Sequence, residues 1–272
     1  RKVILGGQGG DEIFGGYSRY LIAYFEQCIK AAIDGTYKDG NFVVTYESII
    51  PNLIQLKNYK PLIKHFWKEG LFDDMNDRYY RLVSRGPSYG DLINWEIMEN
   101  YSAKDEYKKV FLKNKINKNA YFDLMTNFDF NTLLPALLQV EDRMSMAHGV
   151  ESRVPLLDRE LVELSATIPA DIKFKNGNPK NIFKKSVDKY LPSQIVNRTD
   201  KMGFPTPINH WFKNDLRTFI LDIFNSKISQ EREYINGKKL LQQIENENEF
   251  DRKMWGILSL ELWHRQFIDK KV

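Results

Sequence analysis

Over 272 residues, 42% hydrophobic and 13% aromatic, the chain has enough apolar side chain to bury a sizeable core, as one large domain or two small ones, which excludes disorder as its default. Its 40 lysines and arginines against 36 acids leave a net charge of +4, too small over this length to demand a nucleic-acid partner. One cysteine, Cys28, excludes an internal disulfide framework and a cysteine-rich zinc site; with no apolar run of about 18 residues, no signal-peptide pattern and no metal-ligand spacing among the four histidines, a soluble protein of the reducing cytoplasm is expected.

Few strands are predicted. The clearest, "KVIL", runs straight into the glycines of "GGQGG". From Tyr17 the pattern becomes helical, with Tyr20, Ala23, Tyr24 and Gln27 on one face. The segments "YKPLIKHFWKEG", "TLLPALLQVEDRMSMAHG", "LDRELVELSATIP", "NIFKKSVDKYLP" and "MWGILSLELWHRQF" also read as helices. Gly70 and Gly149 suit C-terminal caps, Pro169 and Pro192 terminators, and Asp158 an N-cap. There are no repeats and no low-complexity tract. The expected body is mostly helical and carries one orphaned strand, half of a βα unit with no sheet to join, so the chain reads as the C-terminal part of something longer.

The glycine turn has its own chemistry. Gly6, Gly7, Gly9 and Gly10 lack Cβ, so their backbone can approach a ligand and aim N–H groups at an anion. Asp11 and Glu12 follow in the first helical turn. Acids beside a phosphate-cradling loop are a usual means of holding Mg2+, which takes oxygen ligands at about 2.0 to 2.1 Å and keeps substrate phosphates in its shell. The same residues also suit a plain tight turn, with the acids merely favouring the helix dipole. The spacing is neither Walker A nor GxGxxG.

Two further blocks stand out. In "VEDRMSMAHGVESRVPLLDRELVE" the helix bearing Asp142 and Arg143 stops at Gly149, and Val150 to Pro155 is expected to be extended, with Glu151 and Arg153 on one side; Asp142, Arg143, Glu151 and Arg153 suit an ion pair that braces two helices. Met144 and Met146 read as packing residues. From Lys173 to Lys201, eight basic side chains face two acidic ones, a local excess of six that exceeds the net charge of the whole chain. That is where an anion belongs. Lys173, Lys175 and Lys189 read as a solvated face, whereas Arg198 and Lys201 sit in "NRTDKMGFPTP", a loop stiffened by proline and glycine, where a lysine acts as a point charge on phosphate.

Taken in order, "LGGQGGDEIFGGYSRY", "EDRMSMAHGVESRVPLLDRELVE", "IVNRTDKMGFPTPINHWF" and the closing "RKMWGILSLELWHRQF" resemble the synthetase domain of glutamine-hydrolysing asparagine synthetases, from Val3 to Phe267. The resemblance implies residues 1–272 as the C-terminal part of that domain. The fold it implies is a mostly α fragment of an α/β domain of the adenine nucleotide alpha hydrolase-like, ATP pyrophosphatase kind, its N-terminal strand cut from a parallel sheet. The implied reaction is ATP-dependent: aspartate, ATP and ammonia give asparagine, AMP and pyrophosphate through an acyl-adenylate, with the ammonia drawn from glutamine by an N-terminal glutaminase domain. ATP and Mg2+ are the implied cofactors, and no nucleic acid or membrane is among the partners; a homodimer is left open. On the family's motifs, Asp11 falls on the Mg2+ ligand, Glu12 on its neighbouring support, Lys201 on the phosphate-contacting lysine, and Gly6 and Gly7 on the loop that lines the nucleotide and substrate pocket; Gln8, Glu12 and Lys201 are the catalytic candidates, and Gly9 in the same turn and Arg198 on the stiffened basic loop are further binding candidates.

The chain departs from the family pattern in two ways. Where the family commonly has Ser-Gly-Glu-Gly, the chain has Gly6-Gly7-Gln8-Gly9, so an amide replaces a carboxylate beside the reacting acyl group. The family's Ser-Gly-Gly-x-Asp-Ser loop and the glutaminase cysteine are expected upstream of Arg1, and the 272 residues alone are expected neither to hydrolyse glutamine nor to complete adenylation. A related amide-forming enzyme acting on another carboxylate, or a non-catalytic binding subunit, are the rival readings.

Overall fold

The computed structural model describes residues 2–35, 57, 60–113, 115–117, 120–198, 206–243 and 252–269, and divides into two units, Arg1–Val83 with Lys104–Arg198, and Ser84–Ala103 with Thr199–Val272. In the first unit "VIL" forms strand β1 (Val3–Leu5), which pairs in parallel with β2 (Glu151–Arg153), Val3 opposite Glu151, Ile4 opposite Ser152 and Leu5 opposite Arg153. The strand expected to be orphaned therefore has a partner among the described residues. Glu-Ser-Arg carries no apolar or β-branched signal, so β2 was legible only as extended backbone before Pro155. The described fold is mostly helical with this small parallel sheet.

From β1 the chain turns into a short helix, α1 (Gly10–Phe14), and then α2 (Ser18–Asp34). The predicted face of α2 is buried, and so are Leu21, Ile22 and Phe25. This helix is enclosed on all sides rather than amphipathic. It ends where Gly35 takes a φ of 70° and its N–H caps the carbonyl of Ala31. Around it pack α3 (Lys60–Trp67), α4 (Met75–Val83), α5 (Ala103–Phe111) and α6 (Tyr121–Asn131), giving a core rich in aromatic rings, Tyr79, Tyr107, Phe111 and Phe122 among them.

That core holds two buried carboxylates. Glu26 meets Arg78 at 2.5 Å through Nη2 and 2.9 Å through Nε, and also accepts the backbone N–H of Phe72 at 3.0 Å. Arg78 lies over the Phe66 ring and donates to the carbonyl of Glu69, so neither charge is left unpaired. Asp129 accepts from Arg19, Tyr20 and Tyr79 at 2.6, 2.5 and 2.6 Å.

The chain continues through α7 (Leu133–Met146), β2, α8 (Arg159–Thr167), α9 (Ala170–Lys173), α10 (Asn181–Val187) and α11 (Ser193–Val196). Asp158 caps α8 as expected, accepting from the N–H groups of Glu160 and Leu161. Gly149 closes the turn after α7 with a φ of 65°. Met144 and Met146, expected to pack, are exposed. At this end of α7, from Glu141 to Met146, only Glu141 and Ser145 are half-buried.

The second unit has its own core of Leu92, Ile93, Ile220, Ile223, Ile235, Leu240, Met254, Ile257 and Leu258 around Phe212 and Phe224. It is built from α12 (Ile208–Lys213), α13 (Arg217–Asn225), α14 (Lys227–Gln230), α15 (Gly237–Gln243) and α16 (Lys253–Phe267). Its buried carboxylate, Glu261, is held by Arg232 at 2.9 Å and by Arg265, one turn along α16, at 2.7 Å. No helix among the described residues is long and apolar enough to cross a membrane.

Candidate functional site

The glycine loop is fixed at both ends by backbone bonds. Gly6 N–H donates to the carbonyl of Arg153 at 2.7 Å, which continues the β1–β2 ladder, and Ile13 N–H donates to the carbonyl of Gly9 at 3.0 Å as α1 begins. Gly9 has a φ of 88°, and a Cβ there would lie 2.2 Å from Leu157, so only glycine fits. This turn sets Gln8, Asp11 and Glu12 in separate environments.

Asp11 is half-buried and pairs with Lys180 at 2.7 Å. The pair crosses the face of Gly16, where a Cβ would lie 1.8 Å from the Asp11 carboxylate and 2.3 Å from Lys180 Cε. Lys180 precedes α10 with a φ of 56°, a left-handed conformation unusual for a side chain of its size. The strained backbone is held where its ammonium meets the loop.

Glu12 is buried and accepts the hydroxyl of Tyr17 at 2.7 Å. Burial first, then the Glu12 carboxylate, push the Tyr17 phenol well above its ordinary value, so it remains a donor at neutral pH. Among the described residues no three His, Cys, Asp or Glu side chains converge into a metal cage. Asp11, half-buried at the start of α1, fits Mg2+ that arrives with a substrate's phosphates, since that ion needs one or two protein carboxylates and fills its shell with phosphate and water.

Gln8, the amide at the carboxylate position of the resemblance, does not stand alone. Its Nε2 donates to Glu141 Oε2 at 2.5 Å, and Ser152 Oγ donates to Glu141 Oε1. Helix α7 and strand β2 thus bring a carboxylate to the loop from 133 residues away.

Beside α1 lies a cavity of about 250 Å³ lined by Glu12, Asp123, Thr126, Phe130, Val162 and Lys173. Lys173, expected on a solvated face, is only 4% exposed, with its ammonium 4.8 Å from the Phe122 ring. Burial pushes its pKa down to about 8, against the attraction of Asp123. Lys175 and Lys189 are exposed, as expected of a solvated face. Arg198 is exposed just beyond α11, and Lys201 lies outside the described residues. Glu151 and Arg153, expected in an ion pair bracing two helices, pair instead with each other at 2.8 Å along β2.

The structure therefore brings Gly6, Gly7, Gln8, Gly9, Asp11 and Glu12 together in one turn. Sequence reasoning missed Glu141, Ser152 and the separate roles of Lys173 and Lys180. Only the string "VEDRMSMAHGVESRV" pointed towards the first two, and a charge count treats the two lysines alike.

The family model described as asparagine synthase matches residues 1–265. Asparagine synthetase [glutamine-hydrolyzing] 1 of Bacillus subtilis is 28% identical over 281 residues, 99% of this chain and 41% of that protein. A putative asparagine synthetase [glutamine-hydrolyzing] of Mycobacterium tuberculosis is 23% identical over 295 residues, 100% of this chain and 40% of that protein. The Mus musculus asparagine synthetase [glutamine-hydrolyzing] is 33% identical over 78 residues, 26% of this chain and 14% of its own. The chain spans about two fifths of the length of the first two relatives.

Proposed function

The chain belongs to the asparagine synthase family, and on that premise we propose that its 272 residues are the C-terminal part of a synthetase domain that makes an amide at the expense of ATP. The reaction is the activation of the aspartate side-chain carboxylate by ATP to an acyl-adenylate and pyrophosphate, followed by attack of ammonia to give asparagine and AMP. Glutamine, through a glutaminase domain upstream, is the ammonia source. The remaining piece of the site, an ATP pyrophosphatase loop on the parallel sheet, also belongs upstream, so these residues alone complete neither half-reaction.

The observation that carries this reading is the turn from Gly6 to Glu12, in which a glycine loop leaving a strand of a parallel sheet presents Asp11 within the span matched by the family model. Mg2+ supplies charge neutralisation for the departing pyrophosphate. Asp11 is the residue that would hold it, and Lys180, paired with Asp11 at 2.7 Å, would supply a cation to phosphate beside it. The Tyr17 hydroxyl keeps Glu12 in place behind the loop. By resemblance to the family's motif, Lys201 is the proposed phosphate-contacting lysine, and Arg198 is a further candidate for binding the nucleotide or substrate.

The test is pyrophosphate release from Mg-ATP by the chain extended upstream as in its relatives, with aspartate and ammonia, beside the Lys201→Ala variant. Aspartate-dependent release that falls by about two orders of magnitude in the variant is the expected result, the scale of losing one transition-state charge contact. Release with another acid but not with aspartate would move the enzyme to a different carboxylate, the second reading, which Gln8 favours.

A further inference from the structure

Both departures of the glycine loop from Ser-Gly-Glu-Gly converge on one side chain. Gln8, in place of the glutamate, donates its amide to Glu141 Oε2 at 2.5 Å. Gly6, in place of the serine, lies so near that a Cβ there would come within 2.8 Å of Glu141 Oε1. The third contact is the hydroxyl of Ser152, on β2. A serine at position 6 would displace the end of the Glu141 side chain, and a glutamate at position 8 would set two carboxylates in contact, so the Gln8 and Glu141 choices are electrostatically coupled.

Glu141 is half-buried, and its partners among the described residues are two neutral donors, with no lysine, arginine or histidine in ion-pair distance. A carboxylate so held has acceptor positions to spare, since each of its two oxygens has taken one donor. Among the described residues, no cation meets it.

We propose that Glu141 is a specificity-determining residue of the amino-acid half of the site, where its carboxylate receives the ammonium group of the amino-acid substrate. The inference rests on the synthetase reading of the loop and names the group that reading leaves unassigned. Gln8 is the positioning residue: its amide orients Glu141 without competing for the ammonium.

The experiment measures binding of L-aspartate and of succinate, the same diacid without the ammonium, by calorimetry on the chain extended upstream, with Mg2+ and a non-hydrolysable ATP analogue. Wild type, Glu141→Gln and the exchange Gln8→Glu/Glu141→Gln are compared, and circular dichroism establishes that each is folded. Wild type is expected to prefer aspartate by about tenfold or more, as for a charge-assisted hydrogen bond. Glu141→Gln abolishes the preference and leaves succinate affinity unchanged, while the exchange, which returns a carboxylate to the loop, restores it. Equal weakening of both ligands in Glu141→Gln would reduce Glu141 to a structural brace and overturn the proposal. So would a preference that survives the substitution, a wild type with no preference, or a variant altered only in its Mg2+ requirement. Pyrophosphate release by the same wild-type preparation reports separately on the synthetase reading, because it does not depend on which residue holds the ammonium.

Discussion

The two units solve the same problem, a carboxylate buried in a helical core, with different reach. In the first, Glu26 and Asp129 are held by groups far away in the chain: Arg78 lies 52 residues from Glu26, and Arg19 and Tyr20 lie 110 and 109 residues from Asp129. In the second, Glu261 takes Arg265 from the next turn of its own helix and Arg232 from 29 residues away. The cores differ in the same sense, since phenols crowd the first and aliphatic chains fill most of the second. A buried phenol or carboxylate must find its partner in a single arrangement, whereas leucine and isoleucine tolerate repacking. The unit that carries the glycine loop is the one whose core is specified by long-range polar pairs.

The largest expected effect tests that difference directly. Glu26→Ala leaves Arg78, with 2% of its side chain exposed, as an unpaired buried charge, and should cost about 3 to 5 kcal/mol in denaturant unfolding. Glu261→Ala should cost less, about 1 to 3 kcal/mol, because 11% of the Arg232 side chain and 31% of that of Arg265 already reach solvent. Equal losses would break the comparison.

Lys173 comes next. Its pKa falls from 10.5 to about 8 on folding, so the unfolded chain binds the proton more tightly and stability rises with pH between those values. Its cost, about 3 kcal/mol at most, is fully felt below pH 8 and is relieved as pH approaches 10.5. Thermal unfolding followed from pH 7 to pH 10 should show this rise, and Lys173→Met should flatten it. A slope that persists in the variant would assign the titration elsewhere.

The smallest effect belongs to Arg153. Its pair with Glu151 is exposed, so Arg153→Ala should leave the melting temperature unchanged, and salt should make no difference to that result. A measurable loss would mean that this end of β2 matters to the loop beyond its backbone bond to Gly6.

Much of the helical body was legible in advance because its signals are local. The spacing of "TLLPALLQVEDRMSMAHG" and "LDRELVELSATIP", the Asp158 cap and the Gly149 stop act within a turn or two of the residues that carry them, and the helices from Leu133 to Met146 and from Arg159 to Thr167 stand where they were expected. The glycine loop with its two acids was legible for the same reason. The solvated reading of the basic run held for Lys175 and Lys189 and failed for Lys173, which only its neighbours bury.

By itself, then, the amino-acid order determined where helices begin and end, that a strand runs into a glycine turn bearing Asp11 and Glu12, and which family the chain resembles. Tertiary structure alone decided that Glu-Ser-Arg would be the strand beside "VIL", that Lys180 would meet Asp11, and that Glu141 would reach Gln8. Each of those contacts joins residues more than 130 positions apart, and at that separation no local preference or periodicity marks one partner for the other. Packing of the intervening helices brings them together, and the meeting of Glu141 with Gln8 and Ser152 is a property of that packing rather than of any motif.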